Sequence, residues 1–265
     1  MSSVAAGSVS SATPSDVWAA LQDGARSLLS SEPRLERALR HYILDAAGFV
    51  AAAADLLGTK LADAMLPADW IESATHAALA EPATLAAVAR DIHGVHARNV
   101  ASPSLVAPFL FFKGNAALLA YRVAHYLWLR GERLSATGLA AQACDRLGID
   151  IHPAAVLGSG ILLDHGTGIV IGETAVVEDD AALWQGVCLG STFTEDGDRH
   201  PKVRRGAVIG AGAIVLGNIE VGAGAVVAAN SVVLQPVAPG TTVAGVPAHV
   251  VRLGTGATLV AAGGP

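Results

Sequence analysis

The chain has 265 residues, a formal net charge of −6 and a hydrophobic fraction of 52%. This length accommodates one large domain or two ordinary ones, and the apolar content is enough for a substantial core. The negative charge, without a basic stripe in the sequence, argues against nucleic acid as the main partner. Only 15% of the residues are charged, which favours an oligomer that buries surface between copies.

Three features bear on where the protein works. Residues 1–15 lack the basic and apolar regions of a secretion signal and are expected to form a flexible tail. The most apolar window, NAALLAYRVAHYLWL, contains Arg122 and His125 and is too short and too polar to span a bilayer. Cys144 and Cys188 have neither CxxC nor metal-ligand spacing, so reduced thiols are expected. Together these features predict a cytoplasmic protein without a membrane partner.

Residues 16–148 have the pattern of a helical domain. A plausible N-cap, Ser15 or Asp16, precedes the first apolar segment, and apolar residues then recur at spacings of three and four. Prolines separate the later segments. The pattern predicts a helical bundle whose later helices cover 68–80, 82–98 and 113–130.

From residue 149 to about residue 253 the period of the apolar residues is six. The aliphatic positions form three sets: Ile151, Leu157, Leu163; Ile171, Val177, Leu183, Leu189; and Ile209, Val215, Val221, Val227, Val233. A hexapeptide period predicts a β-helix, because each repeat supplies one short strand and one corner and the stacked coils enclose an apolar interior.

The repeat pattern resembles that of left-handed parallel β-helix proteins, and this resemblance implies three repeats per coil. Twelve repeats then predict four coils, with an extended loop at about 191–208 and a flexible tail over 254–265. The predicted fold class is α+β by segments, a helical bundle followed by a left-handed parallel β-helix.

The stretch ILLDHGTGIVIGET places Asp164 and His165 within a run of aliphatic residues and glycines. With three repeats per coil, His165 approaches a corner, and Asp150 lies near the same corner one coil earlier. Coils stack about 4.8 Å apart, so a carboxylate on one coil can meet an imidazole on the next. A histidine backed by an aspartate is a general base. We therefore predict a catalytic dyad of His165 and Asp150 rather than two ordinary corner residues.

Several segments carry a resemblance to one enzyme family: DIHPAA, LLDHGTGIVIGETAVVEDD, DRHPK, VIGAGAIVLGNIEVGAGAVV, VAGVPAHVV and, more weakly, LLGTKLADAML and FLFFKGNAALLAYRVAHYLW. They resemble the serine O-acetyltransferases, bacterial and plant enzymes that convert L-serine and acetyl-CoA to O-acetylserine and CoA. The resemblance implies that His165 deprotonates the serine hydroxyl with Asp150 as its partner. It also implies that the alkoxide attacks the thioester in a ternary complex, without an acyl-enzyme.

The same resemblance implies binding residues for both substrates. Asp164 would hold the substrate ammonium, while Arg199 and His200 would hold its carboxylate, for which the planar guanidinium is well suited. His152 is expected to be structural. Acetyl-CoA would lie in a groove between adjacent β-helices, although small residues are equally expected at tight coil corners. The backbone positions expected near acetyl-CoA are Gly190, Gly210, Ala211 and Ala229.

Three positions depart from the family pattern. Asn99 stands where an aspartate usually helps to bind the substrate amine, which predicts weaker serine binding or a related hydroxy substrate. The chain ends at Pro265 and not at the isoleucine that inserts into O-acetylserine sulfhydrylase, so no stable complex with that enzyme is expected. Val226 replaces a lysine often seen after GAGA, so a CoA phosphate contact is expected to be missing.

Other interpretations remain open. The acceptor could be homoserine or another hydroxylated amino acid, and a non-catalytic scaffold is a third option. A γ-type carbonic anhydrase would need three histidine ligands including a His-x4-His pair, which the nine histidines lack, so no metal is expected. The resemblance implies a homotrimer with shared active sites, and a hexamer if the helical domains join two trimers. The sequence leaves the choice between trimer and hexamer, and inhibition by L-cysteine, undecided.

Overall fold

The computed structural model describes residues 12–98, 104–192 and 196–253. Within these ranges the helical segment also contains a 3-10 turn at Pro33–Leu35 and a π turn at Arg40–Leu44. The described α-helices are α1 (Pro14–Leu28), α2 (Glu36–Leu39), α3 (Phe49–Leu61), α4 (Ala68–Leu79), α5 (Pro82–Arg98), α6 (Val106–Leu110), α7 (Lys113–Leu129) and α8 (Arg133–Leu147).

The three later helices predicted from the sequence are confirmed as α4, α5 and α7, with ends within one residue of the prediction. The predicted N-cap of the first helix is wrong. Thr13 caps α1 in a reciprocal pair of hydrogen bonds with Asp16, whose backbone N–H donates to Thr13 Oγ1 at 3.2 Å. Pro14 takes the first helical position, where its fixed φ and missing N–H cost nothing.

The described strands follow α8 and are short. They are β1 (Ile149–Ile151), β2 (Val156–Leu157), β3 (Leu162–Asp164), β4 (Ile169–Ile171), β5 (Val176–Val177), β6 (Ala182–Trp184), β7 (Cys188–Gly190), β8 (Lys202–Val203), β9 (Val208–Ile209), β10 (Ile214–Leu216), β11 (Glu220–Val221), β12 (Val226–Val227), β13 (Val232–Val233), β14 (Thr242–Gly245) and β15 (Ala248–Arg252).

The strands form three sheets, which are the three faces of a β-helix. Face 1 has the order β1-β4-β7-β10-β13, face 2 has β2-β5-β8-β11, and face 3 has β3-β6-β9-β12-β14-β15. Neighbours pair in parallel except for β14 and β15, which are antiparallel. The chain visits faces 1, 2 and 3 in turn, so residues at a given corner of successive coils stack along one edge of the prism.

The hexapeptide positions form the core of the β-helix, as the period predicts. All twelve aliphatic residues are between 0% and 7% exposed, and they belong to one continuous apolar cluster. The five strands of face 1 make five coils, so the predicted number of four is wrong. The buried aliphatic residues that the pattern of twelve does not include are Val203, at the end of the loop, and Val237 and Val243, which follow Val233.

The predicted extended loop over 191–208 is also too long. Strand β8 lies inside it and pairs with β5 and β11, with Val203 in register between Val177 and Val221. The chain therefore leaves the β-helix after β7 and has returned by Pro201, whose carbonyl accepts from Val176 N–H at 3.0 Å.

A buried ion pair fixes the helical domain to the first coil. Arg122 of α7 pairs with Asp91 of α5 at 2.9 Å, and both side chains are less than 10% exposed. Asp91 also accepts from the backbone N–H of Ile161 at 3.0 Å, and Arg122 donates to Leu157 O at 3.1 Å. These bonds hold α5 and α7 against the β-helix and thereby form one wall of the candidate site. In the described part of the chain, every helix is too short or too polar to cross a membrane.

Candidate active site

His165 lies in a tight turn at the corner between faces 3 and 1. Its φ is +58°, and Gly166 and Gly168 also have positive φ values. The turn is closed by hydrogen bonds from Gly166 N to Asp164 O at 2.6 Å and from Thr167 N to His165 O at 2.9 Å. A left-handed conformation is uncommon for a residue with a side chain, and such conformations cluster at functional sites. The turn leaves the imidazole side chain 73% exposed.

A pocket of about 360 Å³ opens beside this turn, between α7 and face 3. Its polar wall consists of Lys113, Asp164 and His165, and Lys113 Nζ donates to Thr167 Oγ1. Its other lining residues are Val95, Phe111, Phe112, Gly114, Asn115, Leu162 and Leu163. An exposed imidazole beside a carboxylate and a small cavity is an arrangement suited to proton abstraction from a bound alcohol.

The two carboxylates predicted near His165 are placed differently. Asp164 Oδ2 lies 3.9 Å from His165 Nε2. Asp150 is exposed on β1, two residues after Gly148, whose carbonyl accepts from Gly168 N–H at 2.6 Å. Asp150 and His165 therefore flank the same corner, but no ion pair within 4.0 Å joins them in the described residues. The dyad assignment stays a prediction.

A second group of predicted site residues occupies the corner between faces 1 and 2. His200 is only 7% exposed, and burial together with the neighbouring Arg199 holds the pKa of its imidazole below the ordinary value. Arg199 donates to Glu173 Oε2 at 2.6 Å, and this bond lowers the pKa of the Glu173 carboxyl. Its other terminal nitrogen, Nη1, donates to Gly197 O at 3.1 Å, so both terminal nitrogens of the guanidinium already have a partner in the same chain.

His152, expected to be structural, stacks below this second group. Its ring contacts Trp128 edge-on with the centroids 5.2 Å apart, and its Nδ1 accepts from Ala154 N–H at 3.1 Å. These contacts are consistent with a structural role.

The two groups lie on different edges of the prism. The strands of face 1 separate the corner of His165 from the corner of Arg199 and His200. A single chain therefore does not bring the predicted base together with the predicted carboxylate-binding residues.

Three of the four positions predicted near acetyl-CoA lie on the same edge as His165, in later coils. Gly210 packs so closely that a Cβ there would lie 2.6 Å from Ala229 N, and Ala211 O accepts from Asn230 N–H at 2.8 Å. Gly190 instead ends β7 on face 1. Coil packing alone requires small residues here, and the contact with acetyl-CoA stays a prediction.

The remaining predicted positions are those of the family departures and the two cysteines. Val226 lies on β12, in register with Val208 and Thr242. Asn99 and Pro265 lie outside the described residues. Burial raises the pKa of both cysteine thiols, Cys144 and Cys188, so neither supplies a thiolate at neutral pH.

Across residues 12–98, 104–192 and 196–253, no three His, Cys, Asp or Glu side chains converge to form a metal site. The γ-type carbonic anhydrase interpretation therefore has no ligand set in these ranges.

Sequence reasoning missed several residues that shape the two groups. Lys113 and Gly114 line the pocket, and Thr174 contacts His200. Lys113 and Gly114 belong to the segment FLFFKG, and Thr174 ends the segment IGET. The sequence shows that these residues lie in family motifs, but their contacts depend on how α7 and the coils pack.

The three-faced β-helix and its short repeats define a hexapeptide-repeat protein, and residues 200–235 match the family described as bacterial transferase hexapeptide (six repeats). Residues 17–120 match the family described as serine acetyltransferase, N-terminal. A serine acetyltransferase of Salmonella typhimurium is 48% identical over 236 residues, which cover 89% of this chain and 86% of that protein.

Solved structures agree with these matches. A serine acetyltransferase in complex with CoA aligns with a TM-score of 0.86 and 43% identity, covering 90% of this chain and all of the other. Soybean serine acetyltransferase complexed with serine aligns with a TM-score of 0.85 and 40% identity, covering 89% of this chain and 97% of the other. The chain belongs to the serine acetyltransferase family.

Proposed function

We propose that this protein is an acetyl-CoA-dependent serine O-acetyltransferase, which acetylates the hydroxyl of L-serine in cysteine biosynthesis. The observation that carries the proposal is the exposed His165 imidazole beside Asp164 at a pocket of about 360 Å³, in a chain of this family. Acetyl-CoA serves as co-substrate.

In the proposed mechanism His165 acts as the general base. The hydroxyl of serine has a pKa far above neutrality, so it needs a base at the moment of attack, and imidazole matches neutral pH best. As His165 takes the proton, the serine oxygen attacks the thioester carbonyl. The C–S bond then breaks, and the proton returns from His165 to the leaving CoA sulfur.

Transfer is proposed to be direct, without an acetyl-enzyme. The candidates for a covalent relay would be Cys144 and Cys188, yet burial raises the pKa of both thiols. A protonated thiol is a poor nucleophile.

The active site is proposed to form between neighbouring copies in a homotrimer. One protomer would supply His165 and Asp164, and the next would supply Arg199 and His200, which lie on a different edge of the prism. Acetyl-CoA would bind in the groove between the two β-helices. Assembly of two trimers through the helical domains, and a cytoplasmic location, are further parts of the proposal.

A thiol-release assay with acetyl-CoA tests the function directly. The enzyme is offered L-serine, L-homoserine and L-threonine, and we expect the highest kcat/KM with L-serine. An Asn99→Asp variant addresses the departure at that position, since restoring the carboxylate should raise kcat/KM for L-serine. Release of CoA with none of these hydroxy amino acids would contradict the proposal, and a preference for homoserine would change the acceptor.

A further inference from the structure

His200 is enclosed by the backbone of the coil below it. A Cβ on Gly172 would lie 2.0 Å from His200 Cδ2 and 2.1 Å from Nε2. The ring thus occupies the space that any other residue at 172 would fill, and a side chain there would displace it.

Thr174 makes three contacts with His200 through two groups, its backbone N–H and its hydroxyl. Its backbone N–H donates to His200 Nδ1 at 3.2 Å, and its Oγ1 lies 2.9 Å from the same nitrogen. Oγ1 also accepts the backbone N–H groups of Arg199 at 3.0 Å and His200 at 3.1 Å. With both lone pairs of the hydroxyl engaged, its single proton is shared between two acceptors, His200 Nδ1 and the carboxylate of Asp198, which also forms a side-chain hydrogen bond with Thr174.

Lys202 anchors the same segment from the other side. Its ammonium donates to Thr174 O and His200 O, both at 2.8 Å, and to Asp198 Oδ1 at 2.5 Å. These three bonds use all the donors of the ammonium group. The segment that carries Arg199 and His200 is therefore tied to the corner of the neighbouring coil.

These contacts decide where the His200 proton resides. A backbone N–H can only donate, so Nδ1 must keep its lone pair, and the ring carries its proton on Nε2. Protonation of Nδ1 would set two N–H groups against each other. Lys202 and Arg199 add positive charge nearby, while Glu173 and His152 are the other titratable groups that face the ring.

We propose that Thr174 is a positioning residue that locks His200 in the neutral Nε2–H form, so that His200 acts only as a hydrogen-bond donor to the substrate. In this form His200 recognises an acceptor, such as a carboxylate oxygen, and cannot remove the hydroxyl proton of serine. The task of the base then falls to His165 alone. The inference rests on the proposed function for its substrate, but the proton position does not depend on activity.

Imidazole ¹⁵N NMR of the enzyme labelled at histidine tests the proton position without substrate. His200, assigned with a His200→Gln variant, should show the Nε2–H pattern at pH 7.5. Thr174→Val should weaken that preference, because it keeps the backbone N–H of residue 174 but loses the hydroxyl that holds the backbone of Arg199 and His200 in place. An Nδ1–H or doubly protonated His200 in the wild type would overturn the inference. A failure of the wild type to acetylate serine would refute the proposed function while leaving this result standing.

Steady-state kinetics supply the second readout. Thr174→Val should raise KM for L-serine about tenfold, as expected for the loss of one hydrogen bond to a buried group, with KM for acetyl-CoA unchanged. Thr174→Ser, which keeps the hydroxyl, should restore the wild-type value. Thr137→Val removes an exposed hydroxyl that bonds Arg133 O on α8, and is the matched control. Equal increases in KM for L-serine and KM for acetyl-CoA would indicate a merely structural role. A Thr174→Ser variant that fails to restore the wild-type KM would indicate the same.

Discussion

Two aspartates flank the turn of His165, and their geometry suggests different tasks. Asp164 precedes the imidazole and lines the pocket, with its carboxylate 3.9 Å from Nε2. Asp150 reaches the corner from β1 and is exposed. A carboxylate in the pocket can hold a substrate ammonium, whereas Asp150, on the strand beside the same corner, is predicted to orient the ring.

Substitution of each aspartate by asparagine separates the two tasks. Asp150→Asn should lower kcat about 10²-fold or more with KM for L-serine little changed, because the base loses its orienting charge. Asp164→Asn should raise KM for L-serine about 10- to 100-fold, because a charge-assisted hydrogen bond becomes neutral. The opposite pattern in steady-state kinetics would make Asp164 the partner of His165.

Burial of two histidines predicts a pH effect on stability. Desolvation by burial lowers the pKa of His200 and of His152 below the ordinary value of 6.5. The folded state therefore favours their neutral forms, so the stabilisation is present above about pH 6.5 and is lost as the pH falls toward the folded-state values.

Urea unfolding between pH 7.5 and pH 5.5 measures this effect. The free energy of unfolding should fall with decreasing pH, and His200→Gln should show a shallower fall over the same range. His249→Gln, at an exposed histidine of β15, serves as control and should retain the wild-type slope. A slope unchanged by His200→Gln would argue against a depressed pKa at that ring.

At the scale of elements, the site depends on the contact between α7 and β3. Gly114 lies so close to β3 that a Cβ there would sit 2.1 Å from Leu163 O. Because Leu163 precedes Asp164 and His165, any displacement of α7 changes the wall of the pocket. The buried Asp91–Arg122 pair holds α5 and α7 in this position.

Adding one methyl group at Gly114 tests the contact between α7 and β3. Gly114→Ala should destabilise the protein by about 1–3 kcal/mol and lower kcat/KM for L-serine, because backbone atoms must move apart. Gly138→Ala on α8 is the matched control, since its Cβ would meet only Leu66 Cδ1 at 3.8 Å and alanine favours a helix. Thermal unfolding with parallel kinetics checks both; equal behaviour of the two variants would contradict the packing argument.

The elements themselves were largely predictable from the sequence, and their contacts were not. The six-residue period gave the strands because every repeat must bury one aliphatic residue, and the spacing of apolar residues gave α4, α5 and α7. Val203 was missed because the long loop preceding it breaks the count. The bond of Thr174 to His200 joins residues 26 positions apart, and local patterns carry no information on such a pair.

The whole molecule has its predicted site residues on two separate edges. His165 and three of the small residues predicted to contact acetyl-CoA share one edge, while Arg199 and His200 share another. A trimer of β-helices would bring an edge of one protomer beside a different edge of the next, as cyclic symmetry requires of a heterologous contact.

Complementation between inactive subunits tests the shared site. His165→Ala and Arg199→Ala proteins, co-expressed with different tags and purified as mixed trimers, should regain about one third of the wild-type activity, because one interface in three combines both intact residues. Pairing His165→Ala with the double variant His165→Ala/Arg199→Ala should restore nothing. Mixed trimers that remain inactive would place the whole site within one chain.

The most direct test of the account is the rate of CoA release from acetyl-CoA and L-serine by wild type and His165→Ala. We predict that kcat/KM falls by about 10²- to 10⁴-fold in the variant, while calorimetry shows unchanged binding of CoA. An alanine variant that releases CoA at the wild-type rate would contradict the assignment of His165 as the base.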